Sequence, residues 1–177
     1  MSRIEPVFSP AAVVAPGFAA MQRNLGMAPN LYATLAHPPA PFDGFLASTS
    51  ALGKGRLTAR QRKLPALAIG QANNCQYCLS AHTLLAGKAD YTLEAIQATR
   101  QGNASDPLDH ALLQLAVALV DQRGVISDEQ LANTHGAGLD DELVLEVLGQ
   151  VAINTLTNYG NHLAATEIDF PAIPLIH

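Results

Sequence analysis

The chain has no tryptophan, only two cysteines and few charges: Asp, Glu, Lys and Arg together are 14% of its 177 residues. With hydrophobic residues at 49% and a mean hydropathy of +0.14, intrinsic disorder is excluded, and a large buried or subunit-contacting surface is expected. Ten basic residues face fifteen acidic ones, and none of the basic residues cluster to neutralise a run of phosphates, so nucleic acid is not an expected partner. No apolar run approaches the roughly 20 residues of a membrane span. The longest smooth one, His110 to Val120, has the length of a core helix. No membrane association is expected, and the location expected is cytoplasmic. The small, apolar stretch Ala11 to Ala20 is not expected to be a cleaved signal, because Glu5 lies upstream and Pro16-Gly17 interrupts it.

Repeats, low-complexity tracts and period-two alternation are absent too, and the Pro-rich patch His37 to Pro41 is too short for an interdomain linker. The reading is one all-α domain over residues 1–177, a helical bundle; both cysteines, Cys75 and Cys78, are spaced C-x-x-C, which reads as redox or metal chemistry, and the redox core is placed at about 57–102. Short helices are expected over Ala11–Gly26, Asn30–His37 and Pro41–Leu52. Thr58-Ala59-Arg60-Gln61 matches a capping box, so a helix is expected from there to Asn73, bent early by Pro65. Further helices are expected from Cys75 to Gly87 and from Thr92 to Gln101. Asp106-Pro107 opens another to Val120, and the capping box Ser127 to Gln130 one that ends near Gly136. The segment from Asp140 to about Ala165 is apolar almost all round, the pattern of a central or interface helix.

Both cysteines sit in Asn74-Cys75-Gln76-Tyr77-Cys78-Leu79-Ser80-Ala81-His82. Cys75, Cys78 and His82 fall at i, i+3 and i+7, one face of a helix. A helix N-terminus at Cys75 stabilises negative sulfur, and His82 can accept the proton of Cys78 or stabilise its thiolate. That arrangement suits two-electron thiol chemistry: a peroxide turns the attacking thiolate into a sulfenic acid, and the second thiol condenses with it to a disulfide and water. Cys78, with the histidine beside it, is expected to attack. Cys75, expected to be the more accessible, resolves and exchanges with a reductant. A zinc site competes with this reading but lacks a fourth ligand nearby, since His110, His135 or His162 would have to reach it from afar, and no metal is expected.

The segments Leu57 to Arg62 and Ala66 to Thr83, with the tail Asn158-Tyr159-Gly160-Asn161-His162 and Thr166 to Pro171, resemble the alkyl hydroperoxidase D and carboxymuconolactone decarboxylase superfamily, in its peroxidase-related branch. The motif C-x-Y-C-x-x-x-H after a helix ending Q-A-N carries the resemblance. It implies an all-helical homotrimer or hexamer with peroxidase and disulfide reductase activity, Cys78 as attacking cysteine, Cys75 as resolving cysteine and His82 as relay. The family's relay glutamate, twelve residues before the first cysteine, is here Lys63, which cannot accept a proton as a carboxylate does.

Two functions follow. One is a thiol-dependent alkyl hydroperoxide reductase and disulfide oxidoreductase of antioxidant defence, taking a hydroperoxide and a dithiol or lipoyl-type reductant protein. The other is a catalytically weak redox-responsive scaffold oligomer, on account of Lys63. Lactone decarboxylation needs no cysteine pair and fits less well. No flavin or nicotinamide fingerprint is present, so no cofactor is expected in the chain. Gln71 is read as a polar residue at a helix end, and Asn154, Asn158, Asn161 and His162 as a polar stripe belonging either to a helix-end network or to the neighbourhood of the cysteines. Residues 37–55 and 102–139 are read as scaffold.

Overall fold

A computed structural model describes residues 1–37 and 39–176, which leaves Pro38 of the Pro-rich patch and His177 outside it. Among the described residues the secondary structure is helical, with no strand. The helices are α1 (Ala15–Leu25), α2 (Asn30–Leu35), α3 (Pro39–Leu52), α4 (Lys63–Ala72), α5 (Gln76–Gly87), α6 (Leu93–Arg100), α7 (Pro107–Asp121), α8 (Asp128–Gly136) and α9 (Asp141–Ala164).

Several helix starts follow from caps. Thr92, Asp106, Ser127 and Asp140 each accept an N–H of the first turn through their side-chain oxygens, and Ser127 with Gln130 completes a capping box. Pro16 and Pro107 sit in first turns, where the missing N–H costs nothing. The Thr58 box behaves differently from expectation. Its reciprocal bonds form, Thr58 N–H to Gln61 Oε1 at 3.1 Å and Gln61 N–H to Thr58 Oγ1 at 3.1 Å, but they close an isolated turn, and α4 begins only at Lys63. Pro65 thereby falls in the first turn of α4, where proline is tolerated, instead of bending a longer helix.

At the centre α4 packs against α5, α6, α7 and α9. Its Leu64, Leu67 and Ile69 are buried with Leu112, Leu113 and Leu115 of α7 and Val147 and Val151 of α9. A second cluster, Val14, Phe18, Ala33, Ala36 and Phe42, joins the first three helices into a flap beside this core. Residues beyond α9 run back over α5. Ile173 N–H donates to Ser80 Oγ at 3.0 Å, and buried Arg100 donates to Pro174 O at 2.6 Å and to Gln71 Oε1 at 2.8 Å. Among the described residues no helix is long and apolar enough to cross a membrane. Leu145, Leu148, Leu156, Tyr159 and Leu163 form an exposed apolar stripe along α9 in the single chain.

Candidate active site

The turn between α4 and α5 fixes the cysteines. Asn74 adopts a left-handed φ of 53°, Asn74 N–H donates to Gln71 O at 3.0 Å, and Cys75 N–H donates to Gly70 O at 2.8 Å. These two bonds are a Schellman closure, with asparagine where the chain needs positive φ. The closure ends α4 and delivers Cys75 as the N-cap of α5. There its Sγ accepts the Cys78 N–H at 3.3 Å, as a serine hydroxyl would at another helix.

Both thiols are free and buried, Cys75 1% and Cys78 2% exposed. Cys75 is therefore not the more accessible of the two, because Leu31, Tyr77, Ile168 and Phe170 close over the pair. Tyr77 is pinned from two sides, accepting the Leu31 N–H at 3.1 Å and packing edge-on against Phe170 with ring centroids 5.5 Å apart.

The polar stripe of α9 lies against the sulfurs. Asn158 Nδ2 donates to Cys78 Sγ at 2.9 Å, and Asn161 Nδ2 donates to Cys78 Sγ at 3.2 Å and to Cys75 Sγ at 3.8 Å. Asn73 Nδ2 donates to Asn158 Oδ1 at 2.9 Å, which fixes the orientation of that amide. Asn154 is buried too but turns back to the Gln150 carbonyl, and His162 Nε2 lies 3.3 Å from Asn74 O, away from the sulfurs. Gln71 holds Arg100 and the backbone of Ile176, a tie for the tail as its helix-end position suggests.

Hydrogen bonding orders the two thiols. The Cys75 thiol is lowered chiefly by the Cys78 thiol beside it, with the Cys78 N–H and Asn161 adding to the effect and burial opposing it. The Cys78 thiol is raised by its hydrogen bond to Cys75, by burial and by the Cys75 charge, while Asn161 and Asn158 pull the other way. Of the two sulfurs, Cys75 is thus the one favoured to carry negative charge, while Cys78 keeps its proton.

A cavity of about 350 Å³ opens beside the pair and is lined by Cys78 but not by Cys75. His82 lines it together with Lys63 and Tyr32. No hydrogen bond links His82 to either sulfur among the described residues. Burial, then the charge of Lys63, lowers the imidazole to about 4, so it is neutral at physiological pH. Tyr32 is pushed up to about 12 by burial and by Cys78, and so remains a phenol able to donate a hydrogen bond in the cavity.

Tyr32 was not singled out from the sequence, where α2 carries no motif. Residues 37–55 are also more than scaffold, because Phe45, Thr49 and Leu52 of α3 wall the cavity. No three His, Cys, Asp or Glu side chains converge as a metal ligand set among the described residues. His135 lies 3.5 Å from Asp141 at the end of α8, and His110 stands on α7, both apart from the cysteines.

Residues 39–121 match the model of the carboxymuconolactone decarboxylase family. That span holds Lys63, both cysteines and His82, and leaves the asparagines of α9 outside. No curated protein matches the chain. Several solved structures share its fold. The alkylhydroperoxidase AhpD core of an uncharacterized peroxidase-related protein from Ralstonia eutropha JMP134 is 22% identical, covering 95% of this chain and 92% of that one with a TM-score of 0.82. An uncharacterized peroxidase-related protein from Silicibacter sp. TM1040 is 18% identical, covering 93% and 91%, with a TM-score of 0.79. A complex of the debrominase Bmp8 with 2,3,4-tribromopyrrole is 20% identical, covering 94% and 91%, also with a TM-score of 0.79.

Proposed function

We propose that this chain, which belongs to the carboxymuconolactone decarboxylase family through residues 39–121, is a thiol-dependent hydroperoxide reductase that cycles Cys75 and Cys78 between dithiol and disulfide. The observation that carries this reading is the division of labour in the pair. Cys75 caps a helix, its thiol lowered by the Cys78 thiol beside it, whereas Cys78 alone of the two lines the cavity and has two amide N–H groups aimed at its sulfur. Passing the one shared proton from Cys78 to Cys75 places the negative charge under those amides, where hydrogen bonds to the charged form favour it.

The Cys78 thiolate then attacks the outer oxygen of a hydroperoxide, breaking the O–O bond. The leaving alkoxide takes the proton from Cys75 and departs as the alcohol, leaving Cys78 as a sulfenic acid and Cys75 as a thiolate. Attack of Cys75 on the Cys78 sulfur forms the disulfide and releases hydroxide. One thiol, one thiolate and one hydroperoxide have become a disulfide, an alcohol and hydroxide. In this scheme the Cys75 thiolate does the proton work for which position 63, a lysine, supplies no carboxylate. Neutral His82 and the Tyr32 phenol, which line the cavity with Cys78, would contact the peroxide oxygens in this scheme.

Reduction runs through the same cavity. An incoming dithiol, of the lipoyl type or otherwise, attacks Cys78 and expels Cys75, whose lowered pKa makes it the better leaving group. The apolar stripe on α9 supports assembly as a homotrimer or hexamer.

Lys63 favours a second reading, a redox-responsive scaffold oligomer with slow stoichiometric oxidation, because its charge weakens His82 as a base. Turnover of an organic hydroperoxide with a dithiol reductant separates the two. The enzyme reading predicts sustained consumption that is lost in Cys78→Ser; consumption that stops after one equivalent, or a Cys78→Ser rate equal to wild type, overturns it.

A further inference from the structure

The cavity beside Cys78 is apolar over most of its wall, with Leu25, Leu31, Phe45, Leu52, Leu85 and Phe170 among its lining. The charged groups on that wall are of one sign. Arg62, Lys63 and Lys88 line it, and none of its lining residues is an aspartate or glutamate. This is unexpected in a chain with fifteen acidic and ten basic residues.

The three cations differ in how far they are committed. The Arg62 guanidinium donates to the Leu57 carbonyl, and Lys88 stands exposed just past the end of α5. Lys63 is half-buried, and its ammonium makes no hydrogen bond or ion pair among the described residues. It is also the first residue of α4, at the positive end of the helix, where a carboxylate stabilises and a lysine does not. Packing gives no reason for a cation there. After burial, its charge is the second influence that opposes protonation of His82 on the same wall.

We infer that the cavity takes an amphipathic organic anion, its carboxylate held by Lys63 and its apolar body lying against the hydrophobic wall next to Cys78. The inference rests on the hydroperoxide reading for what happens at the sulfur, where the substrate would be a hydroperoxide that also carries a carboxylate. It does not rest on that reading for binding. An ion pair formed in a largely apolar cavity is worth more than one at the surface, because fewer waters screen it. The apolar wall supplies affinity for the chain of the ligand, and Lys63 selects the end that enters beside it.

Calorimetric titration of the reduced full-length protein with octanoate and with 1-octanol, probes of equal chain length, tests the inference. Octanoate is expected to bind about tenfold or more tightly than octanol, with an affinity that weakens as sodium chloride is added. Lys63→Gln should remove that preference while leaving octanol binding unchanged. Lys54→Gln, an exposed lysine outside the cavity, should keep it. Equal affinities for the two probes, or an octanoate preference that survives Lys63→Gln, overturns the inference.

Oxidation of the same samples by tert-butyl hydroperoxide, a small neutral peroxide, keeps the two ideas separate. Thiol loss without an octanoate preference removes the anion site and leaves the peroxidase reading standing. A Lys63-dependent octanoate preference without thiol loss does the reverse.

Discussion

Replacing Asn161 with leucine separates chemistry from stability at this site. The Asn161 amide N–H groups reach both sulfurs, at 3.2 Å to Cys78 and 3.8 Å to Cys75, and lower both thiols. A hydrogen bond to a charged partner is worth about 1.5–3 kcal/mol. At about 1.4 kcal/mol per pKa unit, its loss should move the first ionisation of the pair upward by about one to two units. The carbonyl side of the same amide has the opposite character: Asn161 Oδ1 is buried with no hydrogen-bond partner among the described residues. Leucine removes that unsatisfied acceptor, a relief of about 1–3 kcal/mol that offsets the lost N–H···S contacts. Asn161→Leu should therefore unfold within about 1 kcal/mol of wild type at pH 7.

The pH dependence carries a sign. A thiol whose pKa is lower folded than unfolded binds fewer protons in the native state, so stability rises with pH between the folded value and about 8.5, and falls as pH drops back through the folded value. In Asn161→Leu that rise should shrink. The assays are thiolate absorbance and iodoacetamide alkylation against pH, with urea unfolding alongside. An unchanged ionisation in a folded variant refutes the assigned role of the amide, and a stability loss above about 3 kcal/mol makes the residue structural instead.

The neutral burial of His82 should cost stability in acid. Its folded pKa near 4 lies below the ordinary 6.5, so the unfolded chain gains a proton first, and stability falls by up to about 3 kcal/mol as pH drops from 6.5 to 4. Lys63→Glu should raise the His82 pKa, read by imidazole NMR titration, and flatten that loss; an unmoved titration contradicts the coupling. Gly55→Ala places a Cβ 2.5 Å from the Glu146 carboxylate, which is held by the N–H groups of Arg56 and Leu57, so it should destabilise the fold by about 1–3 kcal/mol in thermal melts, and an unchanged midpoint would show that the carboxylate yields freely. Leu156→Glu places a charge in the exposed stripe of α9 and should lower the mass measured by light scattering to that of a monomer; an oligomer of unchanged mass would exclude that face as the contact.

Helix starts were legible in the sequence wherever a side chain caps the backbone. Asp106 and Ser127 announce α7 and α8, and each makes the expected bond. The Thr58 box misled because its two bonds can close a turn without propagating a helix. The C-x-x-C-x-x-x-H spacing placed Cys75, Cys78 and His82 on adjacent turns of α5. It could not show that the partners of the sulfurs would come from α9, some 80 residues later, since a long-range contact leaves no local periodicity. The polar stripe Asn154, Asn158, Asn161 on an apolar helix was the available signal, and it admitted two readings that only packing separates. Relative accessibility of the cysteines was illegible for the same reason, because the cover comes from Leu31 and from Ile168 and Phe170 at opposite ends of the chain. Tyr32 and the α3 wall carried no motif, and an apolar cavity wall has the composition of any core.

The central claim is that a hydroperoxide drives the two buried thiols into one intramolecular disulfide through Cys78. Rapid mixing of the fully reduced protein with one equivalent of tert-butyl hydroperoxide, followed by an acid quench, thiol counting and peptide mapping, measures it directly. The account predicts loss of both thiols, a Cys75–Cys78 disulfide and one equivalent of tert-butyl alcohol, with a sulfenic acid trapped at Cys78 in Cys75→Ser. Two surviving thiols, or a sulfenic acid that forms on Cys75 in Cys78→Ser at the wild-type rate, would contradict it.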